Sequence, residues 1–305
     1  MSDGLTKKII TDDLIQPFQM AEAGVRGRMV RLGSSVDAIL NRHDYPDTVT
    51  RLLGEALVLA SILGGALKFD GIFTVQTKGD GAVSMLAADM STPGNLRGYA
   101  AFDSDKLAEA EARTGLGHVE NFLGKGYAAF TIDGRDTDQR YQGIVALEGD
   151  SLAQCMEDYF AKSEQLKTKL LVAVEKRDGK WRAGGAMIQR LPPKSGVVIP
   201  DEEYEEGWRK AEALIGTVKA EELTDPRLRS SELLYNLFHE EGVWLFDPQE
   251  LEDKCSCSGE RVLSTLVTFG GTDLDYMADD GVIVTDCQFC GSQYSYTMAD
   301  VEAAK

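Results

Sequence analysis

The apolar patterning predicts an α+β protein in three parts: an N-terminal domain with an antiparallel sheet and packed helices (residues 1–195), a helical acidic linker (196–250) and a small four-cysteine module (251–305). Three observations carry this prediction. The first two hundred residues contain three hairpin-like strand pairs, acidic charge rises sharply after residue 196, and four of the five cysteines crowd into the last 51 residues.

The strongest helix signal runs from Asp47 to Lys68. Val49, Leu52, Leu53, Ala56, Leu57, Leu59, Ala60 and Leu63 are dense enough for a buried helix closing at Gly64-Gly65. Three strand pairs follow. Ile72 to Thr77 and Ala82 to Ala88 flank Gly79-Asp80-Gly81, Tyr127 to Ile132 and Tyr141 to Leu147 flank a polar stretch from Gly134 to Gln139, and Leu170 to Glu175 and Trp181 to Gln189 flank Asp178-Gly179. Between the last two pairs, Asp150 or Ser151 caps a helix whose apolar stripe is Leu152, Cys155, Met156, Tyr159 and Phe160. That stripe makes Cys155 an inert core thiol, with no basic neighbour or partner cysteine nearby.

Leu191-Pro192-Pro193-Lys194-Ser195-Gly196, with Pro200, reads as a boundary. Beyond it, Asp201 to Thr217 and Val218 to Leu223 are charge-rich helical segments. Asp225 as N-cap, Pro226 at the first helical position, Leu233, Leu234, Leu237, Phe238 and Gly242 outline one more helix. Helices this short and acidic need docking on the first domain, because isolated helices of such length are marginal in water.

The net charge of -18 is uneven: from Val197 on, acidic residues outnumber basic ones 24 to 8. This excludes nucleic acid as the expected partner, since such affinity depends on Lys and Arg neutralising phosphates. There is no apolar run of 18 residues, and Met1 to Asp13 has no apolar leader region. No membrane partner is expected, and cysteine usage fits a reducing, cytoplasmic setting.

The cysteines read Cys255-Ser256-Cys257, then, after 29 residues, Cys287-Gln288-Phe289-Cys290-Gly291. Two close pairs one small module apart is the spacing by which four thiolates wrap a tetrahedral Zn²⁺. The distal pair falls between Val282-Ile283-Val284 and Tyr294 to Thr297, so a hairpin should carry it, with Gly291 in the tight turn. Leu263, Leu266 and Val267 supply a helix packed against that hairpin. Each pair lies close enough for a local disulfide once the metal leaves, and zinc-held thiolates stay reactive toward oxidants. A structural zinc is worth roughly 10–16 kcal/mol in small peptides, against about 5–15 kcal/mol for a whole domain. Losing it should unfold the module and loosen a linker that docks through it. The other reading is a static zinc ribbon that serves as a protein-interaction module.

An enzyme is not expected. A thiol–disulfide oxidoreductase would place CxxC at a helix start after a strand, not in a hairpin beside a second cysteine pair. The histidines are His43, His118 and His239, there is no G-x-S-x-G elbow, and Lys78-Gly79-Asp80-Gly81 is no phosphate loop. Met85, Met90, Met156 and Met187 invite a reading as a plastic binding surface, although the periodicity puts Met156 in the core.

Asn41-Arg42-His43-Asp44-Tyr45-Pro46, Leu67-Lys68-Phe69-Asp70-Gly71, Tyr141-Gln142-Gly143, Leu147-Glu148-Gly149-Asp150, Asp158-Tyr159-Phe160 with Ser163-Glu164-Gln165-Leu166, and Asp247-Pro248-Gln249 accompany the cysteine pairs. Together they closely resemble the bacterial family of redox-regulated thirty-three-kilodalton heat-shock chaperones, over nearly the whole chain. The Asp133 to Gln139 loop and the Arg190 to Asp201 boundary depart from it. The resemblance implies an ATP-independent holdase, inactive while reduced and zinc-bound. It also implies that oxidation joins Cys255 to Cys257 and Cys287 to Cys290, frees zinc, unfolds the linker and favours a dimer that binds unfolding client proteins.

Overall fold

The computed structural model describes residues 12–114, 119–135, 140–191 and 201–304. The predicted boundary at 192–200, the loop at 136–139, His118 and the segment before Asp12 lie outside them. In chain order, the hairpin β1 (Leu14–Met20) and β2 (Val25–Leu32) is followed by α1 (Ser34–Leu40) and α2 (Asp47–Gly64). A meander of β3 (Gly71–Gly79), β4 (Val83–Ser91) and β5 (Asn95–Phe102) leads to α3 (Ser104–Thr114) and α4 (Val119–Leu123). Then come the pair β6 (Gly126–Gly134) and β7 (Arg140–Ala146), the helix α5 (Leu152–Ser163), and the pair β8 (Thr168–Arg177) and β9 (Lys180–Arg190). The acidic segment forms α6 (Asp201–Ile215), α7 (Ala220–Thr224) and α8 (Ser230–Phe238), then three short strands, β10 (Val243–Leu245), β11 (Gln249–Glu250) and β12 (Glu252–Asp253). The C-terminal part holds α9 (Gly259–Val267), α10 (Gly271–Met277), β13 (Val282–Asp286), β14 (Gln293–Thr297) and α11 (Met298–Ala303).

Contacts divide the chain into two compact units, one ending at Asp253 and one starting at Lys254. In the first, sheet A runs β10-β1-β2-β9-β8 with β11 also on β1, and sheet B runs β12-β5-β4-β3-β6-β7. All pairings are antiparallel except β12 with β5. The expected α+β class with antiparallel sheets and packed helices is what the structure has. All three predicted strand pairs form, as β3–β4, β6–β7 and β8–β9.

Helix α2 lies between the two sheets, touching β3, β4 and β5 on one side and β2, β8 and β9 on the other. Fifteen of its eighteen residues are buried, which is why its sequence is apolar all round rather than along one stripe. Two of its buried hydroxyls bond back along the helix, Thr50 Oγ1 donating to the Pro46 carbonyl at 3.1 Å and Ser61 Oγ to that of Leu57 at 2.8 Å, and the third, Thr48, donates to Glu111 on α3. Glu55 accepts the Ala153 N–H at 3.0 Å and, beside the Ser151 cap, satisfies the start of α5.

Burial raises the Glu55 carboxyl to about 7, although the Ala153 and Leu152 N–H groups work the other way. The folded value exceeds the unfolded one, so this group's contribution to stability is complete below about 4.5 and is lost as pH rises through 7. Glu55→Gln keeps an acceptor and removes the titration. The variant is expected to gain about 3 kcal/mol relative to the parent between pH 4 and pH 8 in urea titrations, and equal pH profiles would contradict this.

The second face of sheet A is covered by α6, α7 and α8. Phe18, Met20, Val25, Met29, Ala186 and Ile188 pack there against Trp208, Ala211, Ile215, Leu223, Leu233, Leu234 and Phe238, with Phe18 stacked on Phe238 at 5.8 Å. Lys167 and Arg190 both pair with Glu205 on α6. The acidic segment therefore docks, as its short helices require.

The last helix differs from expectation. It starts at Ser230, with Arg229 in the cap position, not at Asp225-Pro226. Asp225 is extended (φ -70°, ψ 114°) and ends α7, and its carboxylate accepts the Arg227 N–H at 2.9 Å. Asp-Pro thus builds a turn between two helices. Gly242 does hold the left-handed position expected of it, with φ 66°. The methionine surface is also corrected: Met90, Met156 and Met187 are buried, filling the core between the sheets.

Candidate metal centre

In the second unit the chain makes two knuckles. The distal one sits on the β13–β14 hairpin, paired from Val282↔Thr297 to Asp286↔Gln293. Its turn closes through the Cys287 N–H on the Ser292 carbonyl (2.9 Å) and the Gly291 N–H on the Cys287 carbonyl (2.7 Å). Gly291 takes φ 71°, which a side chain would oppose. The proximal knuckle, Cys255-Ser256-Cys257, precedes α9, where Ser258 caps the helix and Arg261 Nη1 donates back to the Ser256 carbonyl at 2.9 Å. A small core of Leu266, Leu274, Ile283 and Val301 joins α9, α10, α11 and the hairpin.

All four predicted cysteines come together. Cys255, Cys257, Cys287 and Cys290 place their Sγ atoms within 4.8 Å of one another, each partly buried. Cys255 and Cys287 are 3.8 Å apart and Cys257 and Cys290 3.3 Å. Four sulfurs at tetrahedral corners, each 2.3 Å from one ion, are about 3.8 Å apart. The donor set thus fits a four-thiolate metal site, and the five cysteines are free of disulfides.

Support for these sulfurs comes from residues the sequence reading did not single out. The Tyr294 hydroxyl donates to Cys257 Sγ at 3.2 Å, and Ser292 Oγ lies 3.2 Å from Cys290 Sγ. Tyr294 alternates with Tyr296 on β14, and that period-two aromatic pattern was the available signal. Burial pushes the Cys257 thiol up to about 12 and also raises Cys287. Burial opposes ionisation of Cys290 too, yet its hydrogen bonds with Ser292 bring it down to about 6. A divalent cation would supply the positive charge the other thiolates lack.

Cys155 is elsewhere, fully buried on α5, with its thiol donating to the Glu148 carbonyl at 3.5 Å. Burial pushes it up to about 11. With native reduced protein stripped of metal, a thiol alkylator at neutral pH is expected to label four cysteines and spare Cys155, counted by intact-mass shift; labelling of five would contradict that. Of the histidines, His43 packs against Tyr45 and Tyr99, and His239 Nδ1 is 3.0 Å from the Tyr235 carbonyl. Neither joins the cluster. Among the described residues no helix is long and apolar enough to cross a membrane.

The chain thus has a two-sheet α+β unit wrapped around a buried helix and a four-cysteine module able to hold a metal ion. The family model described as Hsp33 protein matches residues 13–297. The chain is 40% identical over 294 residues to the 33 kDa chaperonin of Caulobacter vibrioides strain NA1000, covering 93% of this chain and 95% of that protein. It is 37% identical over 290 residues to the 33 kDa chaperonin of Escherichia coli O7:K1, covering 95% and 94%. The crystal structure of the 33 kDa chaperonin of Thermotoga maritima shares the fold, with a TM-score of 0.78 at 21% identity over 96% of this chain and 97% of that one. The chain belongs to the Hsp33 family and is an Hsp33-type chaperone.

Proposed function

We propose that this chain is a redox-regulated, ATP-independent holdase without catalytic turnover, acting in the cytoplasm, whose switch is a zinc centre at Cys255, Cys257, Cys287 and Cys290. The observation that carries this reading is the apolar face of sheet A, covered by α6–α8 of the same chain. That face is what a holdase would offer to unfolding proteins, and the acidic helices are what would withhold it. Residues 1–195 then act as the client-binding core, 196–250 as the linker and 251–305 as the switch.

Bound Zn²⁺ would keep the four sulfurs deprotonated and the two knuckles together. Under oxidant, Cys255 and Cys257 each give up one electron and form one S–S bond, and a peroxide takes those two electrons and two protons to become two waters. Cys287 and Cys290 do the same with a second peroxide. Disulfide sulfurs no longer bind a cation, and four buried apolar side chains cannot alone order a module of this length. Cys255 follows β12 by two residues, and β12 is held to β5 by two residue pairs and by Arg42 on Asp253. Unfolding that starts at the knuckle therefore reaches β12 first and then the end of the linker at β11. The exposed face would also favour self-association of the oxidised chain.

Titrating the zinc-loaded protein with peroxide tests this reading. One zinc released for four thiols lost, with peptide mapping of Cys255–Cys257 and Cys287–Cys290 bridges, is the expected result. Zinc retained while clients are still held would leave a chaperone with a static metal module.

A further inference from the structure

Three arginines of sheet A converge on the end of α7. Arg31 on β2 is 1% exposed, on a strand face otherwise lined by apolar side chains. Its Nη1 donates to the Glu222 carbonyl at 3.1 Å and its Nη2 to that of Asp225. On the neighbouring strands, Arg182 Nε donates to the Thr224 carbonyl at 2.8 Å and Arg177 Nη2 to the Glu221 carbonyl at 3.0 Å. The last carbonyls of a helix have no partner inside it, and here guanidinium groups supply the donors.

The three arginines are not equally provided for without α7. Arg177 also pairs with Glu175 at 2.8 Å, and Arg182 with Asp12. The two hydrogen bonds of Arg31 both go to the end of α7, and its Nε has no partner among the described residues. Once α7 departs, water replaces its carbonyls on Arg31, while Arg177 and Arg182 stay held by Glu175 and Asp12, so the three guanidinium groups remain grouped on one face for a second occupant. The spacing of the donors selects that occupant's shape. Helix-terminal carbonyls all point the same way, whereas those of an extended segment alternate in direction and offer only every other one.

We infer that Arg31, Arg177 and Arg182 form a receptor for the C-terminal end of a helix, filled by α7 in the docked arrangement and offered to a client helix once α7 has left. The inference rests on the proposed release of the linker. The ligand class is an amphipathic helix with an acid at its C-terminal end, as Asp225 follows α7 with its charge beside Arg31 and Arg177. Its apolar face would lie on Met29, Ala186 and Ile188 beside the arginines.

Two amphipathic helical peptides that differ only in their last turn, one ending in Asp and one in Lys, test this by fluorescence anisotropy against the oxidised, zinc-free full chain. The acid-ended peptide is expected to bind about fivefold tighter, with the difference abolished in Arg177→Gln/Arg182→Gln, whose side chains are partly exposed. Equal binding of both peptides by a protein that still suppresses client aggregation would overturn the receptor and leave the chaperone reading intact. Loss of both peptide binding and suppression would overturn the two together. In the reduced form, amide exchange at residues 220–225 is expected to quicken about fivefold in the double variant. Unchanged exchange there would also overturn the receptor.

Discussion

Gly184→Ala is expected to release the linker from the reduced, zinc-loaded protein and to confer chaperone activity without oxidation. A Cβ at Gly184 would lie 2.2 Å from the Leu223 carbonyl oxygen and 2.9 Å from its carbon. The obstacle is backbone, so no side-chain rotation relieves it. β9 is fixed between β2 and β8, which leaves α7 as the element that moves. Overpacking of this kind costs roughly 1–3 kcal/mol, which shifts docking toward the open form by about 5- to 150-fold. Gly207→Ala on α6, whose Cβ would meet the Ala23 Cα at 2.9 Å, should act in the same direction. Gly271→Ala in the second unit, where nothing lies within 4 Å, should not. Amide exchange over residues 201–238, read beside aggregation suppression in reductant, checks all three. Protected helices in Gly184→Ala would show that docking does not depend on that close approach.

Cys257→Ser carries the second large effect. Serine is a poor ligand for a thiolate-selecting ion, and loss of one corner of the tetrahedron is expected to lower zinc affinity more than 100-fold, on the order of 3 kcal/mol or more. With a core of only four buried apolar side chains, residues 255–304 should then lose cooperative protection from proteolysis. Tyr294→Phe removes only the hydroxyl that donates to Cys257 Sγ, so its effect should be smaller, about 10-fold in affinity. Zinc competition with a chromophoric chelator ranks the two. A Tyr294→Phe loss as large as that of Cys257→Ser would mean that the hydroxyl holds the knuckle and does more than tune the sulfur.

The cysteine centre was legible because its signal is local in each half: Cys255 with Cys257, and Cys287 with Cys290 on a hairpin announced by Val282-Ile283-Val284. Helix α2 and the pairs β3–β4, β6–β7 and β8–β9 were legible for the same reason, being dense or alternating apolar runs broken by glycine. β1 and β2 were not. Both faces of β2 are covered, Val30 and Leu32 toward α2 and Val25 and Met29 toward the linker helices, while Arg26, Arg28 and Arg31 interrupt any simple alternation. Arg31 in particular reads as a surface residue until α7 is seen over it. The strands β10, β11 and β12 are too short for a pattern, and their pairing with β1 and β5 comes from tertiary context. Asp225-Pro226 misled because the same two residues that start a helix also end one, and the Arg31 contact to the Asp225 carbonyl, which fixes the end of α7, comes from a strand distant in sequence.

On the proposed function, oxidation of the cysteine centre turns a covered apolar face into a client-binding one. Light scattering of a thermally unfolding client, with the chain added either reduced and zinc-loaded or oxidised and zinc-free, tests it most directly. Suppression of aggregation by the oxidised form alone is the predicted result. Equal suppression by both forms would contradict the switch.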